Sequence, residues 1–162
     1  MKTKKLTLMA LTTALAMILS FVESQIPAFV AVPGVKMGLA NIAVVFALYK
    51  LGWKEAVLIS LIRVVLVSLL FGSIASMFYS LAGAVLSLAG MGLLKRSGKF
   101  TEIVVSVAGG VLHNIGQIAM ASILLETDAL KYYLPFLLVS GILAGVVIGV
   151  VSAVMVKRVN LT

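Results

Sequence analysis

Long hydrophobic segments follow one another along almost the whole chain, and short polar connections separate them. A helix needs about 20 consecutive apolar residues to cross the hydrocarbon core of a bilayer. Of the 162 residues, 62% are hydrophobic and 11% are charged, whereas soluble domains are about 45–50% apolar and about 25% charged. The segments therefore predict an all-α integral membrane protein, a compact bundle of six transmembrane helices in a single domain over residues 1–162. The predicted spans cover residues 6–22, 37–50, 55–71, 74–94, 101–125 and 133–156. The second is short for a span unless it starts in the region 26–32.

Basic residues concentrate at alternate ends of these segments. With the N-terminus in the cytoplasm, ten of the thirteen Lys and Arg residues fall inside, Lys36 and Lys131 fall outside, and Arg63 lies within a span. Loops rich in Lys and Arg face the cytoplasm, so both termini are predicted to be cytoplasmic, in the cell membrane. This distribution accounts for the net charge of +8 without nucleic acid as a partner.

The N-terminal segment has the layout of a signal peptide, because Lys2, Lys4 and Lys5 precede an apolar run. The run continues to Val22 without a clear small-x-small cleavage site. We therefore expect a retained first helix rather than a leader that is removed from the mature protein.

Four polar residues lie within the predicted spans: Arg63, His113, Asn114 and Gln117. Polar side chains are costly in lipid, so they usually face a bundle interior or a cavity and mark a substrate path or an internal polar network. Spacings of three and four residues predict that the three residues of the fifth span share one helix face. This face is interpreted as part of a binding site, and the alternative is a hydrogen-bond cluster that only holds helices together.

Arg63 is expected near the middle of the third span. A guanidinium stays charged, so it must meet an anion, backbone carbonyls or water. No acidic residue occurs deep in any predicted span. The sequence therefore favours a role in ligand binding, while a structural arginine bonded to amides or carbonyls stays open.

A proline- and glycine-rich element, residues 33–41, precedes the second predicted span. It is expected to place Lys36 near a helix N-terminus, which favours anions, and Asn41 about one turn deeper. Glu23 ends the first span and is predicted either to bond a ligand or to pair with Lys36. Tyr79 is a candidate wall residue. Together these residues predict an outward-facing cavity for an anionic or strongly polar group, such as a diphosphate or a carboxylate.

Several kinds of chemistry are excluded by composition. The chain has no cysteine, one histidine and one aspartate, Asp128, so no metal site and no bound cofactor are expected. Prenyl synthases hold magnesium with clustered aspartates, and ATPases use a GxxxxGK[ST] loop; the sequence has neither. We therefore expect that the chain is not an enzyme and does not itself use ATP.

Small residues recur at helical spacing in two spans. Ala10 and Ala14 are four apart in the first span, and Gly141, Gly145 and Gly149 form a double GxxxG in the sixth. Such spacing lets helices approach closely in lipid. For the glycines, packing within the bundle is the favoured interpretation, and contact with a partner helix is the alternative.

These features together resemble the substrate-binding S components of energy-coupling factor (ECF) transporters. The shared features are six short spans, the Ala-x-x-x-Ala of the first span and a long outer first loop. More narrowly, PGVKMGLAN at 33–41 and LHNIGQ at 112–117 are similar to the Gx transporter branch, often labelled heptaprenyl diphosphate synthase component I. The resemblance covers essentially the whole chain.

The resemblance implies a membrane subunit that captures a small polar or anionic vitamin or precursor from outside, flavins included. Its implied partners are a transmembrane T component, docked on Ala10 and Ala14, and two cytoplasmic ATPases that use ATP. The motif positions are Lys36, Asn41, His113, Asn114 and Gln117. Two alternatives stay open: a small membrane enzyme acting on a lipid diphosphate, and a membrane subunit or scaffold linked to isoprenoid or quinone metabolism without its own transport activity.

Overall fold

The computed structural model describes residues 2–25, 38–127 and 129–159, and these residues form an all-α bundle. Six α-helices follow one another, with one short 3₁₀-helix before the last. They are α1 (Lys2–Gln25), α2 (Asn41–Lys50), α3 (Trp53–Phe71), α4 (Ile74–Ser97), α5 (Glu102–Leu124), the 3₁₀-helix (Ala129–Tyr133) and α6 (Leu134–Arg158).

Within the described residues, four helices are long and apolar enough to cross a membrane: α1, α4, α5 and α6 with its preceding 3₁₀ turn. The helix α3 has 19 residues, or about 28 Å at 1.5 Å per residue, but it carries Lys54, Glu55 and Arg63. The prediction of an all-α, multi-pass membrane protein is confirmed.

The second predicted span is wrong as a continuous helix over 37–50. Residues 38–40 form a turn, and α2 begins only at Asn41. Gly38 has a φ of +90°, which interrupts helical geometry and favours glycine. The remaining 10 residues reach about 15 Å, roughly half of the hydrocarbon core. Because most of its residues are buried, α2 is a short central helix.

Local signals in the sequence explain where the helices end. Gly52, with a φ of +120°, turns the chain between α2 and α3. Ser73 caps α4, because its Oγ accepts from the Ser76 N–H at 3.1 Å while Ser76 Oγ accepts from the Ser73 N–H at 2.9 Å. Such reciprocal bonds satisfy orphan donors of the first turn. These short connections place consecutive helices side by side.

Glycines bring α5 into close contact with both of its neighbours. A Cβ on Gly116 would lie 2.7 Å from a carbonyl oxygen of α4, and one on Gly110 would lie 2.6 Å from the Gly141 carbonyl oxygen. Gly145 and Gly149 face the α5 backbone in the same way. Gly141, Gly145 and Gly149 of α6 therefore pack against α5 inside the bundle, as the favoured interpretation predicted.

The interior contains an apolar region that we call the inner core. It joins five helices, from α2 to α6, at the end that carries most of the basic residues. Its members are Val44, Val45, Ala47, Leu48, Leu51, Ala56, Ile59, Leu88, Met91, Val105 and Ile148. The bundle surface is apolar as well: Leu58, Leu69 and Leu143 are among its exposed side chains. An apolar exterior suits contact with lipid.

Candidate functional site

Polar side chains are buried together toward the opposite end of the bundle, which is the end predicted to face outside. We call this group the polar layer. All its members are less than a tenth exposed, although they come from four different helices. They are Ser20, Glu23, Asn41, Arg63, His113 and Gln117.

Arg63 lies at the middle of α3 and joins the two sides of the polar layer. Its Nη1 donates to Ser20 Oγ of α1 at 3.5 Å, and Glu23 and His113 are both close enough to interact with it electrostatically. Its Nε is buried without a hydrogen-bond partner among the described residues. The predicted central position of Arg63 is confirmed, and an acidic residue does lie within reach of it.

His113 and Gln117 lie side by side on the face of α5 that contacts α4. A Cβ on Gly83 would be 2.8 Å from His113 Nδ1 and 2.9 Å from Gln117 Cγ. Gln117 is 0% exposed. Within the described part of the chain, Nδ1 of His113 and both polar atoms of Gln117 make no hydrogen bond of regular geometry. The missing Cβ of Gly83 thus makes room for both side chains: His113 interacts with the Gly83 backbone, and Gln117 keeps two polar atoms without a partner among the described residues.

Asn114 points away from this pair, and its predicted shared face is only partly correct. Consecutive residues of a helix are about 100° apart, so Asn114 faces α6 while His113 faces α4. Its Nδ2 donates to the Leu137 carbonyl at 2.6 Å, beside Gly141. Asn114 therefore ties α5 to α6 with a buried hydrogen bond.

Glu23 fixes the start of α2 across a gap of fifteen residues in sequence. Its Oε1 accepts a hydrogen bond from the Gly38 N–H, and the Gly38 carbonyl accepts from the Asn41 N–H at 2.8 Å. Asn41 itself is buried at the first position of α2. Lys36 lies outside the described residues, so its predicted pairing with Glu23 stays a prediction.

Tyr79 lies beyond the polar layer, in a second apolar group that we call the outer cluster. The outer cluster contains Tyr79, Ile118, Ala121, Leu130 and Leu137. These residues come from α4, α5, the 3₁₀-helix and α6. On α4, α5 and α6 its members lie on the outer side of Gly83, Gln117 and Gly141, so the outer cluster continues the packing of these helices beyond Gln117.

A family model for heptaprenyl diphosphate synthase component I matches residues 12–155. The chain belongs to this family. The match covers nearly all of the bundle, from within α1 to within α6, and it includes every described residue of the polar layer. A comparison with curated proteins finds no significant match, and a comparison with solved structures finds none either.

The described residues of this component I family member offer hydrogen-bond donors rather than metal ligands. No group of three or more His, Cys, Asp or Glu side chains that could hold a metal lies within residues 2–25, 38–127 and 129–159. Asp128 falls outside these ranges. The polar layer presents a guanidinium, an imidazole, two carboxamides, a hydroxyl and the Glu23 carboxylate, and its donors suit an anionic or hydrogen-bonding ligand group.

The two alanines of α1 lie on the surface of the bundle. Ala10 and Ala14 are both exposed, whereas Ala16 on the other side of the helix is buried. The exposed alanines leave a shallow strip on α1 between Leu11 and Ile18, which are also exposed. This strip is accessible to another helix in the membrane, and docking there stays a prediction.

Two contributors to the site were not among the predicted site residues. Ser20 stands one helical turn before Glu23, and this spacing is a signal for a shared face. Gly83 of α4 packs against His113 and Gln117, which could not be inferred before the pairing of α4 with α5 was known.

Proposed function

We propose that this chain is the substrate-binding membrane subunit of an ECF-type uptake transporter. In this proposal the polar layer binds a small polar or anionic vitamin or precursor that arrives from outside the cell. The chain is not an enzyme; a membrane T component docks on the strip at Ala10 and Ala14, and two cytoplasmic ATPases supply the energy from ATP.

One observation carries this proposal: the polar layer contains buried polar atoms that the described protein does not satisfy. They are Nε of Arg63 and both Nε2 and Oε1 of Gln117, whereas Nδ1 of His113 lies against the Gly83 backbone and interacts with it. Leaving a buried polar group unpaired costs about 1–3 kcal/mol, so proteins rarely retain several of them together without a use. A bound ligand that accepts from Arg63 and bonds Gln117 offsets this cost.

The charge of the layer indicates the kind of ligand. Arg63 and Glu23 are close to each other, and the Glu23 carboxylate already accepts from the Gly38 N–H. Arg63 and His113 are donors that suit a carboxylate or a phosphate group. The proposal therefore favours a ligand with one anionic group and further hydrogen-bonding groups.

A second candidate is a membrane subunit or scaffold linked to isoprenoid or quinone metabolism, without transport activity. The family description, which names a component of a heptaprenyl diphosphate synthase, favours this candidate. In that case the polar layer only joins helices, as Asn114 does through Leu137.

A thermal-shift panel on the detergent-purified protein tests the proposal. The panel covers isoprenyl diphosphates, flavins and water-soluble vitamins. A ligand at about 100 times its Kd stabilises the folded state by about 2.7 kcal/mol, so we expect one compound class to raise the Tm in a dose-dependent manner. His113→Ala should abolish that rise.

Ser106→Ala is the matched control for this variant. Ser106 also lies in α5 and is buried with an unpartnered Oγ, but it faces α6 near Gly149, away from the polar layer. We expect this variant to keep the ligand response of the wild type. A panel without any response, or a response that survives His113→Ala, would contradict the proposal and favour the scaffold.

A further inference from the structure

A groove of about 620 Å³ opens at the other end of the bundle, far from the polar layer. Its walls come from the end of α2, the start of α3 and the last turns of α4. The lining residues are Leu48, Trp53, Ala89, Gly92, Leu93, Lys95 and Arg96. The groove is thus apolar along one stretch and cationic at one end, with no acidic residue among the residues that line it.

Trp53 forms one wall of the groove, and its ring packs against α4 at Gly92. A Cβ on Gly92 would be 2.8 Å from Cε3 and Cη2 of the Trp53 ring. The ring is nevertheless 43% exposed, and Leu93 beside it is 72% exposed. Tryptophan is enriched where a membrane meets water, so this wall lies at the level where acyl chains meet lipid headgroups.

Lys95 is held in place at the cationic end of the groove. Its Nζ donates to the Leu48 carbonyl and lies 5.0 Å from the centre of the Tyr49 ring. An ammonium has three N–H donors, so one bond to a carbonyl leaves donors for a second acceptor. Arg96 adjoins it and is exposed, which gives the groove two neighbouring cations.

We propose that this groove binds an anionic phospholipid. One acyl chain lies along Leu93 and Trp53, and the headgroup phosphate is bonded by Lys95 and Arg96. Basic pockets between transmembrane helices on the cytoplasmic side suit such headgroups, and the charge count assigns this end to the cytoplasm. The site is independent of the substrate proposed for the polar layer.

Fluorescence quenching tests this proposal directly, because Trp53 is the only tryptophan in the sequence. The purified full-length protein is placed in nanodiscs with increasing fractions of phosphatidylglycerol or phosphatidylcholine that carry brominated acyl chains. Each basic residue near a membrane surface adds about fivefold to the affinity for anionic lipid. We therefore expect brominated phosphatidylglycerol to quench Trp53 at a fraction at least about fivefold lower than brominated phosphatidylcholine does.

Arg96→Gln should reduce this preference about fivefold, since Lys95 remains, and it should not disturb folding because Arg96 is exposed. Lys99→Gln is the matched control, since Lys99 is also exposed and basic but does not line the groove. We expect Lys99→Gln to keep the preference. Equal quenching of the wild type by the two lipids would overturn the proposal, and so would a preference that Arg96→Gln leaves unchanged or that Lys99→Gln reduces equally.

Discussion

The inner core and the polar layer lie on the same helices, yet they are built in opposite ways. In the inner core, side chains such as Leu48, Ile59 and Val105 fill the space between helices with apolar contacts. In the polar layer, Arg63 and Gln117 occupy equivalent interior positions and keep polar atoms unpaired. Both regions are buried, so burial alone does not distinguish them.

The two regions therefore differ in the kind of group that they bury. Apolar packing supplies favourable free energy in the inner core, and the larger unpaired groups, the Arg63 guanidinium and the Gln117 carboxamide, carry a cost in the polar layer. Sites that bind ligands are often less stable than the rest of a fold. The inner core and the glycine contacts of α5 therefore compensate for a layer that is not optimised for stability.

The largest expected effect is in the inner core. Ile59→Ala removes a fully buried side chain and leaves a cavity, so we expect a loss of about 2–5 kcal/mol in the free energy of unfolding. The neighbouring Leu58 is 47% exposed on the lipid-facing surface, and Leu58→Ala is the control, with little expected change. Unfolding equilibria in detergent micelles measure both variants. Equal losses would show that no tightly packed inner core exists.

The next largest effect is expected at the glycine contacts between α5 and its neighbouring helices. Gly110→Ala places a Cβ 2.6 Å from the Gly141 carbonyl oxygen, and backbone atoms cannot move aside easily. We expect a loss of about 1–3 kcal/mol, measured in the same unfolding equilibria. At Gly90 an added Cβ meets only the Leu112 side chain, which can rotate. Gly90→Ala should therefore be close to neutral, and a larger loss there than at Gly110 would contradict the account.

A smaller effect is expected where a polar residue has its partner. Asn114→Leu removes the hydrogen bond to the Leu137 carbonyl, and such bonds in membranes contribute about 0.6–2 kcal/mol. We expect a stability loss in this range and an unchanged position of α6, measured by unfolding and by cross-linking between α5 and α6. If Asn114→Leu were as stable as the wild type, the hydrogen bond of Asn114 would not stabilise the bundle, and Asn114 would not differ from Gln117 in this respect.

Most of the fold could be predicted from hydropathy, but α2 could not. The fourth span was predicted to end at residue 94, and α4 continues to Ser97, because hydropathy marks only the apolar part of a helix. The second span was predicted as one helix over 37–50. The sequence showed that this segment is short for a span, but an apolar segment buried among other helices has the same composition as one that crosses the bilayer. The start of the helix at Asn41 became visible only with the turn at Gly38.

The candidate site was predicted in its chemistry better than in its geometry. Polar residues in apolar helices identified Arg63, His113 and Gln117, and the structure brings them together. The different face of Asn114 depends on which neighbour packs on which side of α5. That arrangement is set by Gly83 and Gly141 across the interfaces, which one-dimensional spacing does not show.

The measurement that tests the central claim most directly is the unfolding free energy of Gln117→Met without ligand. Methionine has a similar shape and helix propensity, and it removes two buried polar atoms that have no partner among the described residues. If the polar layer exists for a ligand, the variant is as stable as the wild type or more stable, while the ligand-induced Tm shift disappears. A loss of about 1 kcal/mol or more, comparable to that of Asn114→Leu, would contradict the account, because it would show that Gln117 holds the bundle together.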